Sequence, residues 1–385
     1  MKRRLSFLVA TILFVSVLFF VECNTNSKKN SVEEEVFKIG VIIPLTGNSS
    51  AIGNIHKQGI DLAISEINKN RNGKKAIEAV YEDSKNESKT GLAAFNKLRN
   101  VDNIPVILST FSNVCVPLAS TMKTQQINDV VLLSTATSAP NITIGSEYVF
   151  RSFITSNVES AEIARFITED LGYSKTAIYY VQDDYGKGAA DVFFDLYTKK
   201  YNNNVVFKEA FDINQIDHKN SIFKIKKEKP EIIFLTGYGQ SLVSAINQIR
   251  ETDIKCDIIC TATLALPDAF NNLGEAKEGI YLTSSLYDES STLKDYQSFK
   301  EEFIKMFPES KDNYQSASTY LCTKIITEAI DKKGYSADKI KEGLLSITQF
   351  NTPLGGITFN NVGEASFPVK IKVIKNGNIV NIEKE

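Results

Sequence analysis

From Val36 onward the chain alternates short β-branched runs with amphipathic helical stretches, and that alternation leaves few folds open to it. Residues 37–43 (FKIGVII) read as a strand, and the helix that follows places Ile60, Ala63, Ile64 and Ile67 at i, i+3, i+4 and i+7. Further strands are expected at 77–81, 105–109 and 130–134, with helices near 89–99 and 117–125. Runs such as PVILS and VVLLS are too continuous for a half-exposed sheet and suit a parallel sheet covered on both faces. A second series opens after 148–152 (YVFRS), with strands at 176–181, 205–207, 231–237, 256–260 and 279–284. Its helices lie at 161–171, 189–198, the KIKKEK stretch and 242–249. Helices then take over at 296–306, 317–331 and 337–345, before strands at 355–360 and 369–375 and a hairpin turn at Asn376-Gly377. A chain of 385 residues is too long for one ordinary core, so two lobes are expected, with no long Pro/Gly/Ser linker between them.

Composition narrows the function. The formal net charge of -2 offers no electrostatic footprint for nucleic acid or an anionic membrane surface. His56 and His218 share no ligand spacing, so neither a His-based metal site nor a triad is expected. The first strand–helix loop has Pro44 where a dinucleotide fold needs its first glycine, and DYGKG (184–188) meets Asp191 at the third glycine position; no cofactor is expected. No GxSxG elbow occurs to support a hydrolase.

Met1 to Arg4 are basic-rich, and an uncharged apolar run of about 17 residues follows before Glu22-Cys23. Residues 1–22 read as a secretory signal, with a retained membrane helix as the alternative, and both imply export. Cys23 resembles the acylated cysteine of bacterial lipoproteins, although Phe20, Val21 and Glu22 stand where that motif has small residues. Residues 23–36 read as a polar tether to the membrane anchor. Cys115, Cys256, Cys260 and Cys322 are expected as buried free thiols.

Several loops carry candidate binding groups. Ser112-Asn113 sits between a strand and a helix and reads as an N-cap, or as a hydroxyl and N–H group for an anion. TATSAP (135–140) ends another strand in small hydroxyl residues. Both fall at carboxyl ends of strands, where ligands of open parallel sheets bind, and together they fit a carboxylate-sized group. Asp183, Asp184, Asp288 and Glu289 have no His, Cys or Lys at a telling spacing and read as solvated loop charges. Tyr185 and Tyr238 follow strands and read equally as packing or as ligand contacts.

In order along the chain, KIGVIIPLTGNSSAIG, YEDSKNESKTGLAAFNKL, LLSTATSAP, FRS, DDYGKG, NLGEAKEGIY and the C-terminal GGITFNNVGEASFPVKIKVIKNGNIV resemble one family. It is that of the branched-chain amino-acid-binding proteins of ABC transporters, the type I periplasmic binding proteins. The resemblance implies an α/β fold of two doubly wound, Rossmann-like lobes joined by three hinge crossings, near Ile154, Ser284 and Phe367. One lobe would comprise 37–154 plus 285–366, the other 155–284 plus 367–385. It further implies a monomer that captures a small molecule, an amino acid or related carboxylate or amide, and hands it to membrane permease subunits. A ligand sensor that signals to a membrane receptor has the same lobes. By the same resemblance, Ser112, Ala136, Thr137 and Ser138 hold the ligand's charged head, Tyr185 and Tyr238 close over it, and Ile52 and Thr263 shape the wall. The pattern departs in one place: the acid for the ligand's ammonium, expected after the strand CDIIC, is replaced by Thr261, Ala262 and Thr263. Either another acid serves, with Asp183 or Asp184 the candidates, or the ligand is not an α-amino acid.

Overall fold

The computed structural model describes residues 36–284, 294–310, 314–347, 350–352, 355–365, 367 and 369–382. The signal segment, Cys23, the tether up to residue 35, Asp288 and Glu289 lie outside the described residues.

The first series runs β1 (Phe37–Ile43), α1 (Ser50–Lys69), β2 (Ile77–Asp83), α2 (Ser88–Asn100), β3 (Val106–Thr110), α3 (Ser112–Thr124), β4 (Val131–Thr135) and β5 (Val149–Ser152). The second runs α4 (Ser156–Arg165), β6 (Lys175–Val181), α5 (Asp184–Asp195), β7 (Asn204–Phe211), α6 (Lys219–Glu228), β8 (Ile232–Thr236), α7 (Gly239–Arg250), β9 (Asp257–Cys260) and β10 (Tyr281–Ser284). Next come α8 (Lys294–Met306), α9 (Tyr314–Lys333), α10 (Ala337–Leu345), β11 (Phe350–Thr352), β12 (Gly355–Ile357), β13 (Glu364–Ala365), β14 (Lys370–Lys375) and β15 (Asn378–Asn381).

These strands build two main sheets. The first has the order β13-β5-β4-β3-β1-β2 with every neighbour parallel. The second has the order β15-β14-β10-β9-β8-β6-β7, with every pair parallel except β10–β14 and β14–β15, where β14 runs against the rest. The turn joining β14 to β15 carries Asn376 and Gly377 at φ 52° and 75°, the two left-handed residues that a tight two-residue hairpin needs. The chain passes from the first sheet to the second after β5, returns after β10, and passes again between β13 and β14.

Continuous apolar runs are explained by burial on both faces. Along β1, Ile39, Val41 and Ile43 join one cluster with Phe299 of α8, Leu321 of α9 and Leu344 of α10. Ile42 joins another with Phe95 of α2 and Leu118 of α3. In the second sheet Tyr179 and Leu235 pack with Leu242 and Ile246 of α7, while Ile178 and Phe234 pack with Ile163 of α4 and Phe193 of α5. Each such aliphatic side chain contributes about 1.5–3 kcal/mol. The helix α9 is buried almost all round and satisfies two of its hydroxyls internally: Thr323 Oγ1 donates to Thr319 O at 2.8 Å and Thr327 Oγ1 to Thr323 O at 2.9 Å.

Three expectations need correction. Cys256 precedes β9 and is half-buried, because the first residue of the expected run lies before the strand; Cys115, Cys260 and Cys322 are buried, and all four thiols are free. The strand expected over 355–360 is short, since β12 pairs with β11 as a hairpin and only Phe359 bridges on to Ala365. Ser112 is the first residue of α3 and not its cap, a position taken by Phe111.

Candidate functional site

In each main sheet the strand order reverses beside the first strand of its series, between β1 and β3 and between β6 and β8. Such switch points open a crevice at the carboxyl ends of the strands. The loops after β1, β3 and β4 face those after β6, β8 and β9 across one cleft, and Ile52, Ser112, Ala136, Ser138, Tyr185, Tyr238 and Thr263 line a single cavity there. Thr137 is not among its lining residues: its hydroxyl donates to Thr135 O at 3.1 Å inside its own loop.

The first-sheet wall is held in unusual backbone. Phe111 has φ 70° and Ala136 φ 50°, conformations that cost non-glycine residues on the order of 1–3 kcal/mol each. The Phe111 ring packs edge-on against His56 at 5.3 Å between centroids. His56 is solvent-free, and burial holds its pKa down to about 3, so it stays neutral in ordinary solution. Gly53 lets α1 lie against the loop after β1, because a Cβ there would come within 1.6 Å of Pro44 O. Ser112 Oγ accepts from Ala139 N at 3.3 Å, which ties α3 to the loop after β4. Ser138 Oγ is buried and has no hydrogen-bond partner among the described residues.

The second-sheet wall is a hydroxyl network. Tyr185 OH shares hydrogen bonds with Thr261 Oγ1 at 2.6 Å and Thr263 Oγ1 at 3.2 Å, and Thr263 Oγ1 donates to Gly237 O at 2.6 Å. Asp183, expected as a solvated charge, instead caps α5 through Gly186 N at 2.7 Å and accepts from Tyr238 OH at 2.6 Å. Burial pushes its carboxyl up, against the Gly186, Tyr238 and Asn113 donors that pull it down. Asp184 is exposed. The two walls touch directly: Asn113 Nδ2 donates to Asp183 Oδ2 at 3.4 Å, Asp184 N to Asn113 Oδ1 at 3.2 Å, and Asn86 Nδ2 to Tyr238 OH at 3.3 Å.

Adjoining this cavity is a larger one of about 450 Å³ that shares Ser138, Phe153, Tyr185, Thr263, Leu266 and Gln315 with it. Its wall also holds Glu159, which sequence reasoning passed over. Glu159 stands in the first turn of α4 and is only 4% exposed. Its Oε1 accepts from Ala262 N at 3.0 Å and from Thr283 Oγ1. Burial raises its pKa, and those two donors oppose the rise. A signal existed: Ser156, Glu159, Ser160, Ile163 and Ala164 form the buried stripe of α4, so the acid occupies an apolar-face position. Arg151 was also missed. Its buried guanidinium pairs bidentately with Glu364, at 2.8 and 2.7 Å, and donates to the carbonyls of Thr137 and Ala139.

A family model described as "Periplasmic binding protein" matches residues 36–378. The Leu/Ile/Val-binding protein homolog 3 of Brucella melitensis is 24% identical over 355 residues, 90% of this chain and 93% of that one. Two solved structures superpose closely. The substrate binding protein LivJ of Streptococcus pneumoniae in complex with isoleucine has a TM-score of 0.80 at 20% identity, covering 90% of this chain and 98% of its own. A solute binding protein of an ABC transporter from R. palustris in complex with benzoate has a TM-score of 0.78 at 17% identity, covering 90% and 96%.

Proposed function

The chain belongs to the periplasmic binding protein family, and from that premise we propose that it is the solute-binding component of an ABC importer, capturing an amino acid or a related small carboxylate or amide. The observation that carries this reading is the convergence of Ile52, Ser112, Ala136, Ser138, Tyr185, Tyr238 and Thr263, drawn from both sheets, on one cavity. Relatives of the same fold hold isoleucine or benzoate, two ligands that share a carboxylate and little else. The Ser138 hydroxyl, which has no hydrogen-bond partner among the described residues, and the Ser112 hydroxyl form the carboxylate end of the site. Tyr185 and Tyr238 form the lid, and Ile52 and Thr263 set its size. The loop after β4 contributes through Ala136 and Ser138, not through Thr137.

In this reading the lobes are 37–154 plus 285–366 and 155–284 plus 367–385, hinged near Ile154, Ser284 and Phe367, and ligand binding favours their closed pairing. The protein acts as a monomer outside the cytoplasm, anchored through Cys23, and delivers its ligand to permease subunits.

A thermal-shift screen with isoleucine, benzoate, 3-methylpentanoate and their amides tests the reading. A ligand at a hundred times its dissociation constant adds about 2.7 kcal/mol to stability. Ser112→Ala lowers the affinity of the stabilising ligand by about tenfold, the loss of one hydrogen bond to a charged group. Absence of any shift across the panel, or affinities untouched by both Ser112→Ala and Tyr185→Ala, refutes the assignment.

A further inference from the structure

The larger cavity holds an acid that has no counter-ion among the described residues. Glu159 is buried, lines the cavity beside Tyr185, Thr263 and Ser138, and forms no ion pair among the described residues. A carboxylate in that position loses solvation that two hydrogen bonds restore only in part, so it is either protonated or waiting for a cation. Its two donors, Ala262 N and Thr283 Oγ1, both go to Oε1, which leaves the bonding of a ligand to Oε2.

The identity of one donor matters. Ala262 lies in the loop after β9, the place where the family pattern expects the acid for a ligand's ammonium and this chain has none. The Ala262 side chain ends at a methyl, and its backbone N–H holds the Glu159 carboxyl at that same loop. The charge missing from one element is thus delivered by another, from α4 of the same lobe.

We propose that Glu159 is the ammonium-binding group of this cleft, and that the ligand is a zwitterionic α-amino acid with its carboxylate on the Ser112 and Ser138 side. The inference rests on the solute-binding reading and chooses between the two ligand classes that the missing acid left open. Tyr185, Tyr314 and Phe153 line the same cavity, and aromatic rings around an ammonium add to its binding. Asp183, the acid singled out from the sequence, is committed to capping α5 and to the Tyr238 hydroxyl, and Asp184 faces solvent.

Calorimetric titration with matched pairs tests this: isoleucine against 3-methylpentanoate, alanine against propanoate, phenylalanine against 3-phenylpropanoate. The natural protein prefers the amino acid of at least one pair, and Glu159→Gln weakens that amino acid by about 100-fold, the usual scale for removing one partner of a buried charge pair. The same variant leaves the deaminated partner within about threefold, since Gln keeps an acceptor for Ala262 N and Thr283 Oγ1. Should Glu159→Gln fold poorly, Glu159→Asp decides the matter, because a carboxylate drawn back by one methylene weakens the amino acid and leaves its deaminated partner unchanged. Unchanged amino-acid affinity in Glu159→Gln overturns the proposal. Binding of deaminated acids or of benzoate alone overturns it too, while the solute-binding reading survives. A protein that binds no member of the panel sinks both.

Discussion

Arg151 shows how much of a site rests on residues that never meet a ligand. Its side chain is 2% exposed, and one fork of the guanidinium is matched to both oxygens of Glu364 while the other donates to the loop after β4. Glu364→Gln leaves that cation buried without its anion, and we expect a loss of about 3–5 kcal/mol in urea denaturation. A loss under about 1 kcal/mol would mean that the loop is held by its own turns instead. Neither partner was legible in the sequence as a pair, because 213 positions separate them. Glu159 was hidden differently. An acid in a first helical turn looks like an ordinary complement to the helix dipole, and only its place on the buried stripe marks it out. By contrast Ser112, Ser138 and Tyr185 were legible from their positions after strands, whereas the inward turn of the Thr137 hydroxyl depends on a backbone bend at Ala136 that no pattern encodes.

At the scale of elements, α3 is the informative case. The sequence predicts a helix from Pro117, the residue type that opens helices, yet α3 begins at Ser112 and carries Pro117 inside it. Pro117 has no N–H for the carbonyl of Asn113, and Ser88 Oγ donates to that carbonyl at 2.8 Å in its place. A double-mutant cycle reads this substitution. Ser88→Ala costs about 0.5–1.5 kcal/mol in the natural chain and less than about half of that beside Pro117→Ala, where the helix supplies its own donor. Equal costs in both backgrounds would show that Ser88 acts elsewhere. The repair preserves the start of α3, and with it Asn113, which reaches across to Asp183 and to the N–H of Asp184. Elements with strict periodicity, such as β1 and α8 to α10, fell within a few residues of expectation because burial on known faces fixes their limits.

For the whole molecule, the buried acid gives a pH signature. The Glu159 pKa is raised by burial, so the unfolded chain ionises first and the folded state binds the extra proton. Its contribution is therefore fully present below the ordinary carboxyl range, about pH 4, and is lost as pH rises through the raised folded value. Tyr185 and Tyr314 beside it are themselves pushed up by burial and stay neutral over this interval. Without ligand, Glu159→Gln should gain in melting temperature over the natural protein as the pH is stepped from about 4 to about 8. A gain of about 1 kcal/mol moves the midpoint of a chain this long by about 2 °C, which scanning calorimetry resolves. A difference that does not change with pH would show that Glu159 is not desolvated in solution. The parallel α/β character of the sheets was readable from the alternation of runs, and the expectation of two lobes from the length of the chain. The contacts between the lobes were not, since Asn86 and Asn113 meet Tyr238 and Asp183 only after both sheets exist.

The strands that finish each sheet, β13 beside β5, and β14 with β15 beside β10, follow every other strand of both. A growing chain that has reached Ser284 carries two unfinished sheets of five strands each, with β5 and β10 at their unpaired edges. It cannot complete one lobe and then begin the other; both are sealed together by a short late segment. Until that segment arrives, β5 and β10 are open templates for stray pairing, and the molecule depends on whatever shields nascent strands.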